Sequence, residues 1–504
     1  MEPLVEIATG RVRGRREPPG VQVFRGIPYA SAPVGHRRFR RPDPVEPWGG
    51  VLDAGKFGSA PMQSVSSIYA GGLPANRVGA VSEDCLTADV WTPGPSGRRP
   101  VMVWVFGGAY LTGWSGIETY DGARLAAEQD VVVVSFNYRM GAFGFLAVEG
   151  GDPNCGLRDQ LAALRWVRWN ISAFGGDPDN ITVFGESAGA GSVLHLLGSP
   201  AAAGAAARAV LQSPGVDHTL TAEQAASVTR AVMDAAGADR AGRLWELPAA
   251  AIVAAQEAAL PSLMASVGSM PFHPVVDGDF LPSKPGVGFG APEVDLMVSW
   301  TAEEMRLYPN RRADEGGRPV LLKWLRRIIS ARTGADPGEA EAARLLDFYA
   351  PAGSGADIWA AIQTDCVMRL PARRVALSHA DAAAAAGSGR RTYVSQFDWG
   401  AEGGAWRRGA FHAIDLPFTF GTLDRGGWLE FLGAAGPDDR GARKLADIHM
   451  RAWASFARTG DPGWPGFPDA AFRMGHEPAT GPDPLAEAAR AWDGLWSDDG
   501  PVIA

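Results

Sequence analysis

Apolar residues at successive positions mark several short stretches of the chain as strands that are buried on both faces, as in a parallel sheet. The two strongest patterns are the Val-rich stretches "RPVMVWVFGG" and "VVVVSFNYR", in which apolar residues occupy both alternating sets of positions. Three further stretches have the same character at strand length. The five predicted sheet strands lie within residues 99–108, 131–139, 181–186, 208–215 and 294–300.

Amphipathic patterns between these stretches predict helices. The clearest runs from Leu157, with apolar residues at three- to four-residue spacing, to the Gly175-Gly176 pair, which is typical of a helix end. Strands alternating with helices predict a doubly wound α/β sheet. Helical patterns also dominate 219–265 and 317–376, and we expect these segments to cover the sheet and wall a site. No linker is evident, so residues 1–504 are predicted to form one domain.

Composition and charge exclude some functions. The 504-residue chain is 46% hydrophobic and 20% charged, as is typical of a globular enzyme, and its net charge is −9. An acidic chain is not expected to bind nucleic acid. No uncharged apolar stretch approaches the length of a membrane span, so no membrane partner is expected. The first residues show no pattern typical of a signal peptide.

Cysteine usage indicates the compartment. The sequence has three cysteines, Cys85, Cys155 and Cys366, and no CxxC pair. We expect buried free thiols and therefore a cytoplasmic protein, with a Cys85–Cys155 bridge as the alternative.

One serine is flanked by small residues in a way that indicates chemistry. In "VFGESAGAGS", Ser187 lies between Gly185-Glu186 and Ala188-Gly189, where an apolar strand meets a helix that begins near Ala188. This strand–turn–helix context favours a nucleophile elbow over an ordinary small-residue turn. Backbone amides at the start of the helix would then face a developing oxyanion.

Seven blocks in order give the chain a resemblance to a known family. They include "FRGIPYASAPVGHRRFRRP", "NISAFGGDPDNITVFGESAG" and "GAFHAIDLPFTFG", and the set covers 24–42, 82–91, 137–146, 170–189, 273–282, 409–421 and 453–462. The chain resembles the type-B carboxylesterases of the α/β-hydrolase fold. This resemblance implies a large, mostly parallel central sheet flanked by helices with helical cap insertions.

The resemblance also implies the catalytic residues. Ser187 matches the nucleophile and His412, in "GAFHAIDLPF", matches the base. In "SWTAEEM", alignment residue by residue makes Glu304 the acid. Glu303 remains the alternative because this block departs from the family pattern at Ser299, Trp300 and Met305. A solvated acidic pair without a catalytic role is the remaining interpretation.

The oxyanion loop of the family matches Phe106 to Tyr110. The resemblance assigns the oxyanion hole to the amides of Gly108, Ala109 and Ala188, with Phe106 where the family has His. The sequence leaves open whether Tyr110 narrows the space for bulky alcohols.

Other residues receive weaker assignments. Glu186 matches a glutamate that supports the histidine loop, and a structural buried carboxylate is the alternative. Of the other histidines, His195 is expected to face the core and His273 to be structural, whereas five lack a site context: His36, His218, His379, His449 and His476. No cofactor and no metal are expected, because no cluster has ligand spacing.

The expected function is hydrolysis of small to medium apolar carboxylic esters through an acyl-enzyme. Carbamate or amide hydrolysis at the same site is one alternative. A non-catalytic binding protein on this fold is another, although such members typically lack a triad residue. The partner is therefore expected to be a small-molecule ester, and the oligomeric state stays open.

Overall fold

The structure is a computed structural model, and it describes residues 2–64, 73, 77–240, 242–268, 270–285, 291–308, 310, 312–400, 409–432 and 440–496. Its strands are β1 (Leu4–Ile7), β2 (Gly10–Arg13), β3 (Arg15–Glu17), β4 (Val21–Pro28), β5 (Val51–Asp53), β6 (Ala60–Pro61), β7 (Val81–Ser82), β8 (Thr87–Thr92), β9 (Arg99–Val105), β10 (Val132–Phe136), β11 (Gly176–Glu186), β12 (Arg208–Gln212), β13 (Asp295–Thr301), β14 (Thr392–Phe397), β15 (Ala471–Met474) and β16 (Ala479–Gly481).

The helices follow the same chain order. They are α1 (Ala123–Gln129), α2 (Gly141–Phe145), α3 (Cys155–Asn170), α4 (Ala188–Leu197), α5 (Ala222–Ala235), α6 (Gly242–Glu246), α7 (Ala249–Ser266), α8 (Arg312–Thr333), α9 (Glu339–Tyr349), α10 (Gly355–Gln363), α11 (Leu370–Ala386), α12 (Leu416–Phe420), α13 (Trp428–Phe431), α14 (Arg440–Thr459) and α15 (Ala486–Ala491). Helix α8 is kinked at Gly317, where φ is 56° and ψ is −160°.

A central sheet organises the fold. Within the described ranges it has eleven strands in the order β16-β15-β14-β13-β12-β11-β9-β10-β8-β4-β3. The run from β10 to β15 is parallel. Antiparallel pairs occur at the two ends. Helices α3, α4, α11 and α14 pack on this sheet. The prediction of an α/β-hydrolase fold with a large, mostly parallel sheet is confirmed.

The five predicted strands correspond to β9, β10, β11, β12 and β13, but several boundaries were wrong, most clearly between α3 and β11. The helix predicted to continue to Gly176 ends as α3 at Asn170, and a 3-10 turn, Ile171–Phe174, follows it. Gly175 then adopts a left-handed conformation, with φ 79°. Strand β11 begins at Gly176 rather than at Ile181, with an irregular register between the two residues.

The helical insertions are present where the sequence predicted them. Helices α5, α6 and α7 surround one apolar cluster, and α8, α9 and α10 surround another, both separate from the core along the sheet. The prediction that 1–504 form a single domain stays a prediction.

Helix α7 has an unusual composition. By length and composition alone it is apolar enough to cross a membrane, the single such helix in the described part of the chain, and 39% of it is buried. It contains Glu257, and its inward residues pack with α5. The sequence analysis looked for long apolar stretches without charged residues, so it did not identify α7 as a helix of this length and apolarity.

Candidate active site

Ser187 occupies a sharp turn between β11 and α4. Its backbone has φ 55° and ψ −123°, a conformation that non-glycine residues rarely adopt. The turn is fixed by backbone hydrogen bonds: the amide of Ser187 donates to the carbonyl of Gln212 at 2.9 Å, and the amide of Gly191 donates to the carbonyl of Ser187 at 2.9 Å. The side chain of Ser187 lines a cavity at the carboxyl ends of the strands.

The two glycines of the turn are required by close packing. A β-carbon on Gly189 would overlap the carbonyl oxygen of Val105 at the end of β9. A β-carbon on Gly185 would lie 2.7 Å from the carbonyl carbon of Gly189. Since neither position has room for a side chain, the small residues around Ser187 reflect the geometry predicted for a nucleophile elbow.

A buried His–Glu pair opens into the same cavity. Nδ1 of His412 donates to Oε2 of Glu304 at 2.6 Å, and the amide of His412 donates to the carbonyl of Glu304 at 3.0 Å. The other carboxylate oxygen, Oε1, accepts from the Ser213 hydroxyl at 2.6 Å and from the Thr301 amide at 2.7 Å. These four contacts fix the orientation of the imidazole, and they join the segments that follow β12 and β13 to the loop before α12.

The alternative acid, Glu303, lies apart from His412. Its Oε2 accepts from the amide of Ala410 at 2.9 Å, and its Oε1 pairs with Arg306 at 3.0 Å. The structure therefore brings Glu304, and not Glu303, to the ring of His412.

The electrostatics of the pair favour an ionised Glu304. Burial by itself raises the pKa of Glu304, but the charge of His412 and hydrogen bonds from His412, Ser213 and Thr301 hold the pKa below its ordinary value. For His412, burial acts to lower the pKa, and the charges of Glu186 and Glu304 outweigh it, so that the pKa is raised.

Glu186 lies on the opposite side of the imidazole from Glu304. Its Oε1 is 3.1 Å from Nε2 of His412, a charge contact outside hydrogen-bond geometry. Burial is the main cause that raises the pKa of Glu186; the charge of His412 opposes this effect, and Asp415 and Glu304 raise the pKa further. Among the described residues, no hydrogen bond joins the Ser187 hydroxyl to His412, although Glu186, Ser187 and His412 all line one cavity.

Three amides predicted for an oxyanion hole surround the serine. The amides of Gly108 and Ala109 donate to no protein group in the described part of the chain. Ala188 is the first residue of α4, where a helical amide has no intrahelical acceptor. Gly108 has φ 107° and Ala109 has φ 56°, which turn this loop toward the elbow. Gly108 and Ala109 line the same cavity as Ser187, and Ala188 follows Ser187 directly in the chain; their assignment to an oxyanion hole stays a prediction.

Tyr110 is directed away from the cavity. Its side chain is buried, packs edge-on against Phe145 with 4.9 Å between ring centroids, and points its hydroxyl toward Gly191. Phe106, at the position of the family's histidine, stacks on Tyr138 at 4.6 Å.

The cavity has a volume of about 400 Å³ and a mostly apolar wall. Side chains from the helical insertions line it together with the oxyanion loop, and the four methionines in the wall are Met264, Met270, Met305 and Met368. Sequence reasoning did not identify them, because apolar helix residues are indistinguishable from core residues by pattern.

One histidine assignment was wrong. His218, which was expected to lack a site context, lies in the cavity wall. His195 is buried as expected, and its ring contacts the Gly191 carbonyl oxygen and the Thr219 hydroxyl. In the part of the chain that the structure describes, no group of three or more His, Cys, Asp and Glu side chains could hold a metal ion.

A mostly parallel sheet, a serine at a strand-to-helix turn and a buried His–Glu pair on neighbouring loops are the features of an α/β-hydrolase. Comparison with known proteins narrows this class. The model of the carboxylesterase family matches residues 1–478. The chain belongs to the carboxylesterase family, and it is a carboxylic ester hydrolase.

Individual relatives agree with this assignment. The chain is 36% identical over 479 residues to a para-nitrobenzyl esterase of Bacillus subtilis (strain 168), covering 92% of each chain. It is 33% identical over 472 residues to a phenmedipham hydrolase of Pseudarthrobacter oxydans, covering 91% of this chain and 90% of the relative. A solved carboxylesterase structure from Geobacillus stearothermophilus superposes with a TM-score of 0.81 at 35% identity, over 97% of this chain and 99% of the other.

Proposed function

We propose that the protein hydrolyses small to medium apolar carboxylic esters through a covalent acyl-enzyme on Ser187. The observation that supports this most is the strained turn at Ser187 beside the buried His412–Glu304 pair, at one apolar cavity. A 400 Å³ cavity accommodates a ligand of modest size, and its methionines adapt to different shapes.

In the proposed acylation step, Oγ of Ser187 attacks the ester carbonyl carbon, and Nε2 of His412 takes the hydroxyl proton. The amides of Gly108, Ala109 and Ala188 stabilise the carbonyl oxygen as it becomes an oxyanion. Each such donor typically lowers the activation barrier by about 3 kcal/mol. The tetrahedral intermediate then expels the alkoxide, which takes the proton from His412 and leaves as the alcohol.

Deacylation repeats the same chemistry with water as the nucleophile. His412 removes a proton from water, the hydroxide adds to the acyl carbon, and Oγ of Ser187 leaves with the proton returned by His412. Glu304 orients the imidazole through Nδ1 and stabilises the imidazolium in both steps.

Replacement of Ser187 tests the mechanism. We expect Ser187→Ala to abolish hydrolysis of 4-nitrophenyl butyrate, and a fluorophosphonate probe to label Ser187 in the wild type. Ser192→Ala is a matched control, because Ser192 is a buried serine on the same helix whose hydroxyl accepts from Gln160 at 3.1 Å and lies outside the cavity wall. Substantial turnover in folded Ser187→Ala would disprove the proposal.

A panel of 4-nitrophenyl esters of graded chain length tests the substrate class. We expect the highest kcat/KM for short and medium acyl chains, because a cavity of about 400 Å³ matches ligands of modest size. Carbamate or amide hydrolysis remains the second candidate. A relative that is 33% identical is named as a phenmedipham hydrolase, so phenmedipham is the direct probe beside the esters.

We also propose a cytoplasmic location. It is supported by Cys85, Cys155 and Cys366, which are all free and buried. Fractionation of cells producing the untagged chain tests it, and recovery of the protein in an extracytoplasmic fraction would contradict it.

A further inference from the structure

His218 is a polar side chain in an otherwise mainly apolar wall. It lies on the loop after β12, its side chain is 2% exposed, and it lines the same cavity as Ser187. Neither ring nitrogen has a hydrogen-bond partner, although Nδ1 lies near the Gly215 backbone. Buried polar groups are normally hydrogen-bonded, so an imidazole without a partner on a cavity wall indicates a ligand contact.

A second histidine packs behind the first. His273 is 5% exposed, both of its ring nitrogens also lack partners, and its ring centroid is 5.7 Å from that of His218. Other buried histidines of the chain differ. His379 contacts the Thr392 hydroxyl at 2.8 Å and the Val294 carbonyl oxygen at 3.0 Å. Among the buried histidines of the described residues, these two are the ones in which both ring nitrogens lack a partner.

The pair is uncharged in the free enzyme. Burial is the main cause that lowers the pKa of His218 to about 4, and Arg332 and Lys284 lower it further, while the charge of Asp217 and the nearby backbone of Gly215 oppose them. Burial also lowers the pKa of His273. The carboxylate of Asp217 is paired with Arg332 at 2.5 Å and with Lys284 at 3.6 Å. Neutral imidazoles each have one N–H donor and one acceptor nitrogen, which suits an uncharged polar ligand group.

We propose that His218, positioned by His273, is a specificity-determining residue that donates a hydrogen bond to an uncharged oxygen in one arm of the bound ester. This proposal rests on the proposed esterase function of the same cavity. The enzyme therefore favours an ester with an ether or carbonyl oxygen in that arm over the all-carbon ester of equal length. An alkyl chain at this position leaves the imidazole desolvated and unpaired, and such a site discriminates against it.

Two matched pairs of esters test the proposal. In the acyl arm, 4-nitrophenyl 4-methoxybutanoate is compared with 4-nitrophenyl hexanoate. In the alcohol arm, 3-methoxypropyl acetate is compared with pentyl acetate. Each pair differs by one oxygen in place of a methylene, far enough from the carbonyl to leave its reactivity nearly unchanged. The measured quantity is the ratio of kcat/KM within a pair.

Substitutions of His218 assign the preference to its ring. In one arm, we expect the oxygen-to-methylene ratio to fall about five-fold in His218→Leu, the size of one ordinary hydrogen bond, and to be largely retained in His218→Asn, which keeps a donor. His273→Leu should lower the ratio by less. His36→Leu, which removes an exposed imidazole outside the cavity wall, should leave the ratio unaltered. Equal ratios in wild type and His218→Leu for both arms would overturn the proposal.

A binding measurement separates this proposal from the proposed function. Calorimetry with Ser187→Ala gives the Kd of each uncleaved ester, and the same ratio is compared in Ser187→Ala/His218→Leu. Preferential binding of the ether esters that is lost when His218 is replaced supports the subsite, whether or not the wild type hydrolyses these esters. Failure of the wild type to hydrolyse any of them would overturn only the esterase mechanism. Equal Kd ratios in the two variants would overturn the subsite while leaving the mechanism intact.

Discussion

Oε1 of Glu186 lies 3.1 Å from Nε2 of His412, the nitrogen that the proposed mechanism uses to accept the serine proton. Glu304 holds the other ring nitrogen at 2.6 Å, so the imidazole lies between two buried carboxylates. Both negative charges favour the imidazolium and raise the pKa of His412 against the effect of burial. The position of the acidic limb of the activity profile therefore depends on Glu186 as well as on Glu304.

Replacement of Glu186 by Gln should extend activity to lower pH. His412 must be neutral to accept a proton, so activity is lost as the pH falls through its pKa, and a raised pKa places that loss at a higher pH. Without the charge of Glu186 the pKa falls, and we expect the acidic limb of kcat/KM to move down by about one pH unit. Glu149→Gln, at an exposed turn, should not move it. An acidic limb that stays in place or moves to higher pH would contradict this account.

Glu304→Gln and Glu303→Gln should differ strongly. Glu304 accepts from His412, Ser213 and Thr301, and the amide that replaces its carboxylate does not stabilise an imidazolium. We expect kcat to fall by about 10³- to 10⁴-fold in Glu304→Gln. Glu303 binds Ala410 and Arg306 instead, so Glu303→Gln should change kcat by a small factor. The opposite ranking of the two variants would show that Glu303 is the acid.

Esters of tertiary alcohols should be hydrolysed slowly but measurably. The oxyanion loop presents backbone atoms of Gly107 and Gly108 to the cavity, and the side chain of Tyr110 is buried against Phe145 instead of narrowing the entrance. The space beside the ester carbonyl is therefore open to a branched alcohol. The measurement compares tert-butyl acetate with butyl acetate, with Ser187→Ala as the blank. A tertiary rate equal to the blank would show that another wall closes this space.

Activity should not depend on reducing agents. Cys85, Cys155 and Cys366 are free and buried, and burial is the main cause that raises the pKa of Cys155 to about 11 and of Cys366 to about 12. Such thiols react slowly, because the thiolate is the reactive form. We expect millimolar dithiothreitol to leave kcat/KM unchanged and Ellman's reagent to react only after unfolding. Inactivation by the reductant would indicate a disulfide.

Apolar patterning predicted the centre of the sheet but not all of its strands. Strands β9 and β10 have apolar residues in both alternating sets of positions, so their burial on both faces is evident from the sequence. Strand β14 was missed because Ser395 and Gln396 interrupt the pattern, although both are buried. The structure supplies the reason: Gln396 accepts from the indole of Trp300 at 2.9 Å and donates to Asp398 at 2.7 Å. Such tertiary hydrogen bonds are not encoded locally.

The sequence predicted those residues of the candidate site that lie in recognisable motifs. Ser187, His412 and the oxyanion loop belong to blocks that identify a family, whereas His218 belongs to none. Its place in the cavity depends on the loop after β12 packing against the serine turn, where the amide of Gly215 approaches the carbonyl of Ser187 at 3.4 Å. Contacts between loops of distant strands decide which side chains line a cavity, and no local pattern reports them.

The backbone of Ser187 has a further consequence, which concerns the selection of stable variants. At φ 55° and ψ −123° a residue with a β-carbon destabilises the folded state, typically by about 1–3 kcal/mol, whereas glycine adopts such angles without that cost. The chain is therefore expected to gain thermal stability when its proposed nucleophile is lost to glycine. A laboratory evolution experiment that screened this protein for heat resistance alone would enrich catalytically inactive variants, so each round must also select for turnover.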